Sequence, residues 1–444
     1  MYLGILVLAY IFSFGDRQIV GLIVQPLKND LGISDVQIGL LQGLAFSLVY
    51  SVAGIFCGIA ADRFSRRLII VAGITVWSLG SAACGLATTF LGLFLCRLAV
   101  GLGEATLSPS AYSLLTDWAP RERLSLIIGI FTTGSNLGGG VAFTLGGALV
   151  QHLGTSQGVA VPFFGGLAPW RIAFLATGLP GLVVAAMALL LRETPRGQLT
   201  AQRTDVPEVR LWRFCRENGR LLACHLVGFA LLGMVAAAVL AWSPSYLHRR
   251  FAWEPGRAGL ALGIMIGAFG TVGTVVGGIV VDRIFRRGVK DAHLRTHIWT
   301  NLVGGACVVG AYLVDSPWAC VGLLWAAFPI LISYGGSAPA VIQLIAPRHL
   351  RARLSALYLL AATGIGLGLG PVSVALLGRY VFHNERLDHP MALLNAICVL
   401  SSTALFVGGL RPLRSRLQTL PPAPAPVSVA GGAPVALESS VPSG

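Results

Sequence analysis

The sequence predicts an all-α polytopic membrane protein, with twelve transmembrane helices in two pseudo-symmetric six-helix bundles. Three observations carry this. The 444 residues are 55% hydrophobic and only 11% charged, with mean hydropathy +0.77, whereas a soluble domain carries about 25% charged residues. Apolar runs near the roughly 20 residues a bilayer crossing needs recur along the whole chain. The basic residues collect in alternate short loops. Hydrocarbon leaves no partner for a free backbone N–H or C=O, so continuous apolar runs of this length are helices; barrel strands would be short and alternating.

Taken in order, the first helix is expected over 3–24. No basic segment precedes it and no cleavage pattern ends it, so it reads as a span rather than a signal peptide. It begins almost at Met1, leaving little room for an N-terminal arm. The second, third and fourth follow at 37–60, 68–88 and 90–112, and the fifth at 124–149, where Gly134 and Gly138 to Gly140 permit close packing. The sixth, at 170–191, closes an N-terminal bundle over 1–191. A polar stretch over 192–219 holds six arginines among prolines and acids, and reads as a linker. Six more helices, at 220–243, 258–281, 297–314, 317–340, 353–378 and 389–410, form a C-terminal bundle over 220–410. Residues 411–444, poor in any helical pattern, read as a disordered tail.

Orientation follows from arginine and lysine. Of 32 basic residues, 23 fall in one set of alternate loops and at the C-terminal end, and seven in the other set. The richer side is expected in the cytoplasm, together with both termini. This placement also argues against nucleic acid as the reason for the formal charge of +14. The eight cysteines show no paired C-x-x-C spacing, and most sit in apolar runs as small buried hydrophobes.

The halves repeat. G-x-x-x-D-R-x-x-R-R occurs at Gly58, Asp62, Arg63, Arg66 and Arg67, and returns 220 residues later at Gly278, Asp282, Arg283, Arg286 and Arg287. Ala119, Pro120 and Arg121 return 227 residues later as Ala346, Pro347 and Arg348. Internal repeats of this kind are the mark of many secondary transporters, which rock one repeat against the other around a central site. At these residues the chain resembles the major facilitator superfamily, over about 3–410. GDRQIVGLIVQPLKNDLGISDVQIGLLQG, RLAVGLGEATLSPSAYSLL and PWRIAFLATGLPGL are similar to its spinster-like branch. That resemblance implies alternating access, proton-linked transport using an acid in the first and fourth helices, and, for eukaryotic members, export of lysophospholipids and sphingolipids.

Ionisable residues inside a span cost about 2.5–3.5 kcal/mol each on insertion scales. Four stand out: Asp16 and Arg17 in the first helix, Arg97 and Glu104 in the fourth, summing to zero charge. At 100° per residue Arg97, Gly101, Glu104 and Ser108 share one helix face. One reading makes the four a polar network that only pins two helices together. The other makes Asp16, Glu104 and Arg97 the proton-coupling group, with Glu104 paired to Arg97 as carrier and Asp16 as second carboxylate across the cavity. Exposure to water would let the acid ionise, and occlusion would favour its protonated form. Arg17, 100° round from Asp16, faces the cavity wall or the interface.

Further cavity candidates are Phe46, Ser108, Asn136, Phe229, Tyr334 and Thr363. An anionic headgroup would pair with Arg97 or Arg17, and a tail would lie on Phe46 and Phe229. A gating set comprises Asp62, Arg63, Arg66, Arg67, Asp117, Asp282 and Arg283, latching the halves at the basic face or, more simply, holding those loops inside. Shifted by 227, Arg97 becomes Leu324 and Glu104 becomes Leu331, so the second half has no equivalent pair. The glycines from Gly364 to Gly370 and Pro371 mark the eleventh helix for bending.

The spans exclude a soluble enzyme, and G-x-x-x-x-G-K-[ST] is absent. G-L-G-E-A at Gly101 lies mid-span and is no dinucleotide fingerprint. No metal and no cofactor are therefore expected. The expected partners are a small-molecule or lipid-like substrate, protons and membrane lipids, around a monomer in a bacterial inner membrane. An uncoupled facilitator or lipid exporter, and a receptor or scaffold on the same fold, are the competing classes.

Overall fold

The computed structural model describes residues 1–118, 124–154, 159–161, 165–193, 211–347, 350–383 and 386–419. Among these, twelve long helical segments run back and forth between two faces. Ten meet the length and hydropathy of a membrane span, and Leu124–Gly154 and Ala292–Ala311 complete the set. Many large apolar side chains on their outer surfaces, such as Phe56, Leu145, Val183 and Leu400, are exposed, as lipid contact requires.

Several helices are broken where the sequence allows it. The first (Tyr2–Leu22) stops short of its expected end, and a separate short helix, Val24–Leu31, follows. Gly32 ends that helix at φ 62°, a left-handed cap natural to glycine. The second is split at Gly43 into Asp35–Gln42 and Leu44–Arg63, and opens on a capping box between Ser34 and Gln37. The fourth is split into Phe90–Glu104 and Leu107–Trp118, the tenth into Pro317–Ile332 and Tyr334–Ile345. The eighth and eleventh carry π-helical turns at Met265–Gly270 and Ala362–Leu367. The second of these falls in the glycine run expected to bend.

The all-α architecture carries two small additions and one correction to a helix end. Val159–Val161 and Gly165–Leu167 pair as a small antiparallel hairpin before the sixth helix (Pro169–Ala188). The linker contains a helix, Leu211–Glu217, whose Phe214 is buried beneath the Arg416 guanidinium, 5.3 Å from its ring centroid. The twelfth helix continues past 410 to Thr419, held by buried Leu413 and by Arg414 on Asp291 at 2.5 Å. Residues 194–210 and 420–444 lie outside the described residues.

The face carrying the repeated D-R motif also holds both helix termini. The Tyr2 ring packs tilted against Trp118, centroids 5.2 Å apart, and Arg414 meets Asp291 in the eighth-to-ninth connection. We call it the basic face. At the opposite face the two halves close on each other. Arg249, ending the seventh helix (Gly219–Phe251), grips Asp35 with both terminal nitrogens at 2.8 Å, and Lys28 adds a contact at 2.9 Å. Gln151 of the fifth helix bonds Glu254 before the eighth. Gly140 meets Gly263 and Gly267 across the same seam, at 2.9–3.1 Å for an added Cβ. Towards the basic face the fifth and eighth helices part, and a Cβ on Gly129 or Gly278 would meet nothing within 4 Å.

Candidate functional site

Glu104 sits at the last residue before the break in the fourth helix, and Thr106 bonds back to the Gly103 carbonyl at 2.8 Å. Gly101, one turn earlier, admits the second helix so closely that a Cβ would lie 2.7 Å from the Phe46 carbonyl. That approach sets the Phe46 ring beside the charges.

Two ion pairs join the first and fourth helices. Arg97 donates to Asp16 at 3.0 Å, and both are about 1% exposed. Asp16 also accepts a short bond from Ser81 of the third helix (Arg66–Leu86) and a longer one, 3.4 Å, from Thr177 of the sixth. Four helices thus converge on one carboxylate. Arg17 donates to Glu104 from Nε and Nη2, each at 2.6 Å, and Ser13 adds a bond to the same oxygen at 2.7 Å. The other oxygen of Glu104 is buried without a hydrogen-bond partner.

The expected pairing is therefore exchanged. Glu104 meets Arg17 rather than Arg97, and Asp16 lies against Arg97 rather than across the cavity. Adjacent residues on the first helix diverge by 100°, so Asp16 turns into the bundle and Arg17 towards the seam. The Arg17 guanidinium lies 4.3–4.8 Å from the Phe14, Phe46 and Tyr50 ring centroids. Cation–π contacts of that kind contribute about 2 kcal/mol or more where water is excluded.

A cavity of about 230 Å³ lies between the halves. Arg17, Phe46 and Arg97 line its first-half wall, Tyr334 and Ala237 its second. Four expected cavity residues do not line it. Ser108 lies beyond the helix break. Asn136 is turned to Gly270 of the eighth helix. Phe229 is enclosed by His225, His297, Tyr334 and Phe406. Thr363 bonds the Leu359 carbonyl and Ser51 of the other half.

The gating set divides. Arg66 is buried and fastens Asp117 at 2.5 Å, Glu193 at 3.0 Å and Ser113 at 3.0 Å, all in its own half. The Arg67 backbone N–H bonds Glu193 at 2.9 Å. Arg66 and Asp117 thus brace one half in this conformation instead of joining two. Arg63, Asp282 and Arg283 are exposed and, among the described residues, form no ion pair. The Asp62 side chain lies outside the described residues. Cross-half ion pairing sits at the opposite face instead, on Asp35 and Arg249.

Sequence reasoning missed Ser13, Ser81, Thr177, Asp35 and Arg249. Ser13 had a signal, since it stands one turn before Asp16 and Arg17. Ser81 and Thr177 had none, because a hydroxyl in a span usually bonds its own helix.

The sequence profile of the Major Facilitator Superfamily matches residues 6–371. An MFS-type efflux pump of Mycolicibacterium smegmatis is 27% identical over 376 residues, 84% of this chain and 83% of that protein. The hexuronate transporter of Bacillus subtilis is 25% identical, over 76% of this chain and 78% of its own. The crystal structure of a bacterial homolog of the human lysosomal transporter Spinster, inward-facing and unoccupied, superposes with TM-score 0.78. It is 26% identical, over 95% of this chain and 98% of that one.

Proposed function

The chain belongs to the Major Facilitator Superfamily, and on that premise we propose that it is a proton-coupled secondary transporter moving a small organic or amphiphilic solute by alternating access. The observation that carries the coupling is the Arg17–Glu104 pair, an acid and a base from two helices beside the central cavity. A proton on Glu104 cancels its charge and frees the Arg17 guanidinium, which borders the cavity and can then take a solute anion. The Asp16–Arg97 pair is assigned a different task. Asp16 already has hydroxyl and guanidinium partners from three other helices, which favours a structural pin.

Solute class follows from the walls. One guanidinium among Phe14, Phe46 and Tyr334 suits a solute with a single anionic group and an apolar body. The hexuronate relative and the spinster-like resemblance make uronates and lysolipids the first compounds to try. The basic face is placed in the cytoplasm by the positive-inside rule, so the cavity opens inward in this conformation, in a bacterial inner membrane. A monomer suffices, since one chain supplies both cavity walls.

The test is uptake into proteoliposomes of radiolabelled glucuronate and a lysophospholipid, with and without an imposed pH gradient. Glu104→Gln should abolish gradient-driven accumulation while solute binding persists. Normal accumulation by that variant would overturn the coupling; accumulation indifferent to the gradient in the unmodified protein would make it a facilitator.

A further inference from the structure

Most basic residues at the opposite face are neutralised. Lys28, Arg171, Arg249, Arg250 and Arg386 each meet a carboxylate. Arg257, in the first turn of the eighth helix, has no carboxylate and no hydrogen-bond partner among the described residues. Its guanidinium lies instead 4.4 Å from the Trp253 ring centroid and 5.0 Å from that of Trp318, which opens the tenth helix. The two indoles meet at 65° with centroids 5.1 Å apart. Trp253 is buried and Trp318 is 56% exposed, so the cluster is backed by protein and open outward. Neither indole N–H has a hydrogen-bond partner among the described residues. The nearest acids in the chain are engaged elsewhere, Glu254 by Gln151 and Asp315 by Arg250. Arginine and tryptophan side chains only donate. The three together present a full positive charge and several N–H groups, with no acceptor of their own.

The surface leading from this cluster into the membrane is apolar. Arg257, Leu260 and Ile264 fall within about 60° of one another on the eighth helix, and both aliphatic residues are exposed. On the tenth helix Trp318, Gly322 and Ala326 share an exposed face. The two helices run side by side in the same direction, since Trp325 donates to the Ala261 carbonyl at 2.9 Å, one turn beyond Arg257. Gly322 is therefore close to the level of Leu260, and a Cβ there would meet nothing within 4 Å. Small residues on one helix beside aliphatic ones on the other leave a shallow strip below the guanidinium.

We propose that Arg257, Trp253 and Trp318 hold the phosphate of an anionic phospholipid in the leaflet at the opposite face, with one acyl chain lying along Leu260, Ile264 and Gly322. An acceptor-only group of negative charge is what a donor-only, uncompensated cluster recognises, and a guanidinium held against rings keeps its edge N–H groups for two phosphate oxygens. Tryptophan at the headgroup level fits the same placement. The site lies on the outer surface, away from the central cavity, so the lipid is a resident partner and not the transported solute. It stands whether or not the transport reading does.

Native mass spectrometry of the intact protein, titrated in detergent with palmitoyl-oleoyl phosphatidylglycerol, tests this. Arg257→Gln should raise the dissociation constant of the tightest lipid about fivefold, the effect of one basic residue at an anionic surface. Arg379→Gln removes another opposite-face arginine without an ion pair among the described residues and should leave that constant unchanged. Gly322→Leu fills open space, so it should fold, and should weaken lipid binding by obstructing the chain. Glycerol phosphate, the same headgroup chemistry without chains, should fail to displace the lipid. Unchanged affinity in Arg257→Gln would overturn the proposal, as would an equal loss in Arg379→Gln, which would make the attraction one of general charge. Equal affinity for phosphatidylethanolamine would overturn the anionic requirement. Unaltered binding in Gly322→Leu, or displacement by glycerol phosphate, would overturn the lipid as occupant in favour of a soluble phosphate.

Discussion

The two halves break their fourth helices at the same place and fill the break with different chemistry. In the first half Thr106 bonds the Gly103 carbonyl three residues back; in the second Ser333, 227 residues later, bonds the Ile330 carbonyl in the same way. Before the first break stands Glu104, before the second Leu331. Arg97 corresponds to Leu324, which is buried among apolar side chains. The break belongs to the repeat, and the charge belongs to one half only. A second contrast lies at the basic face. There the start of the third helix is tied to the end of the sixth by Arg66 on Glu193, and the start of the ninth to the twelfth by Asp291 under Arg414. The same brace is made with its signs reversed.

Breaking the deeper pair should have the largest effect. Arg97→Leu makes the first half resemble the second but leaves Asp16 buried without its cation, a loss of about 3–5 kcal/mol. Folded yield and melting temperature in detergent should fall sharply. Asp16→Leu added to Arg97→Leu should recover much of the loss, because a buried pair replaced by apolar groups is often neutral. No recovery would mean that the pair does more than pin helices.

Next in size is the reverse exchange. Leu331→Glu puts an acid at the second break with no arginine at position 324, at about 2.5–3.5 kcal/mol on insertion scales. Lower yield is expected, partly relieved by Leu324→Arg. Full tolerance of Leu331→Glu alone would show that the second break is already hydrated.

The smallest effect concerns the brace. Glu193 follows the sixth helix outside the span. Burial works against its ionised form, but the Arg67 N–H, the Ser65 hydroxyl and the Arg66 guanidinium outweigh it and hold the carboxyl below its ordinary 4.5. The folded protein then binds that proton less tightly than the unfolded chain. Its contribution is complete above pH 4.5 and fades as pH falls through the lower folded value. Thermal melts at several pH values from about 3 to about 7 should show a shallower acid-side loss in Glu193→Gln. An identical pH profile would exclude this carboxyl.

Much of the fold was legible because its signals are local and repeated. Runs of apolar residues, alternate basic loops and the returning D-R and APR motifs each survive errors of a few residues at a helix end. The site was legible in membership, since charge within a span is costly enough to identify Asp16, Arg17, Arg97 and Glu104 one by one. The cavity wall was less so. Phe229 and Thr363 were plausible by type, yet one is enclosed by rings and the other is spent on a cross-half bond.

The sequence by itself determined the helical membrane-spanning class, the internal repeat and the presence of two acids and two arginines inside the first and fourth helices. Only the tertiary structure decided which acid meets which arginine. Asp16 and Arg17 are neighbours in the chain but point 100° apart, and Arg97 and Glu104 lie two turns apart along a helix that breaks between Glu104 and Leu107. Which partner each reaches depends on how closely the first, second and fourth helices approach, and that is set by Gly101 against the Phe46 carbonyl and by the hydroxyls of Ser13, Ser81 and Thr177. Contacts between residues some 65 to 161 positions apart have no periodicity to announce them.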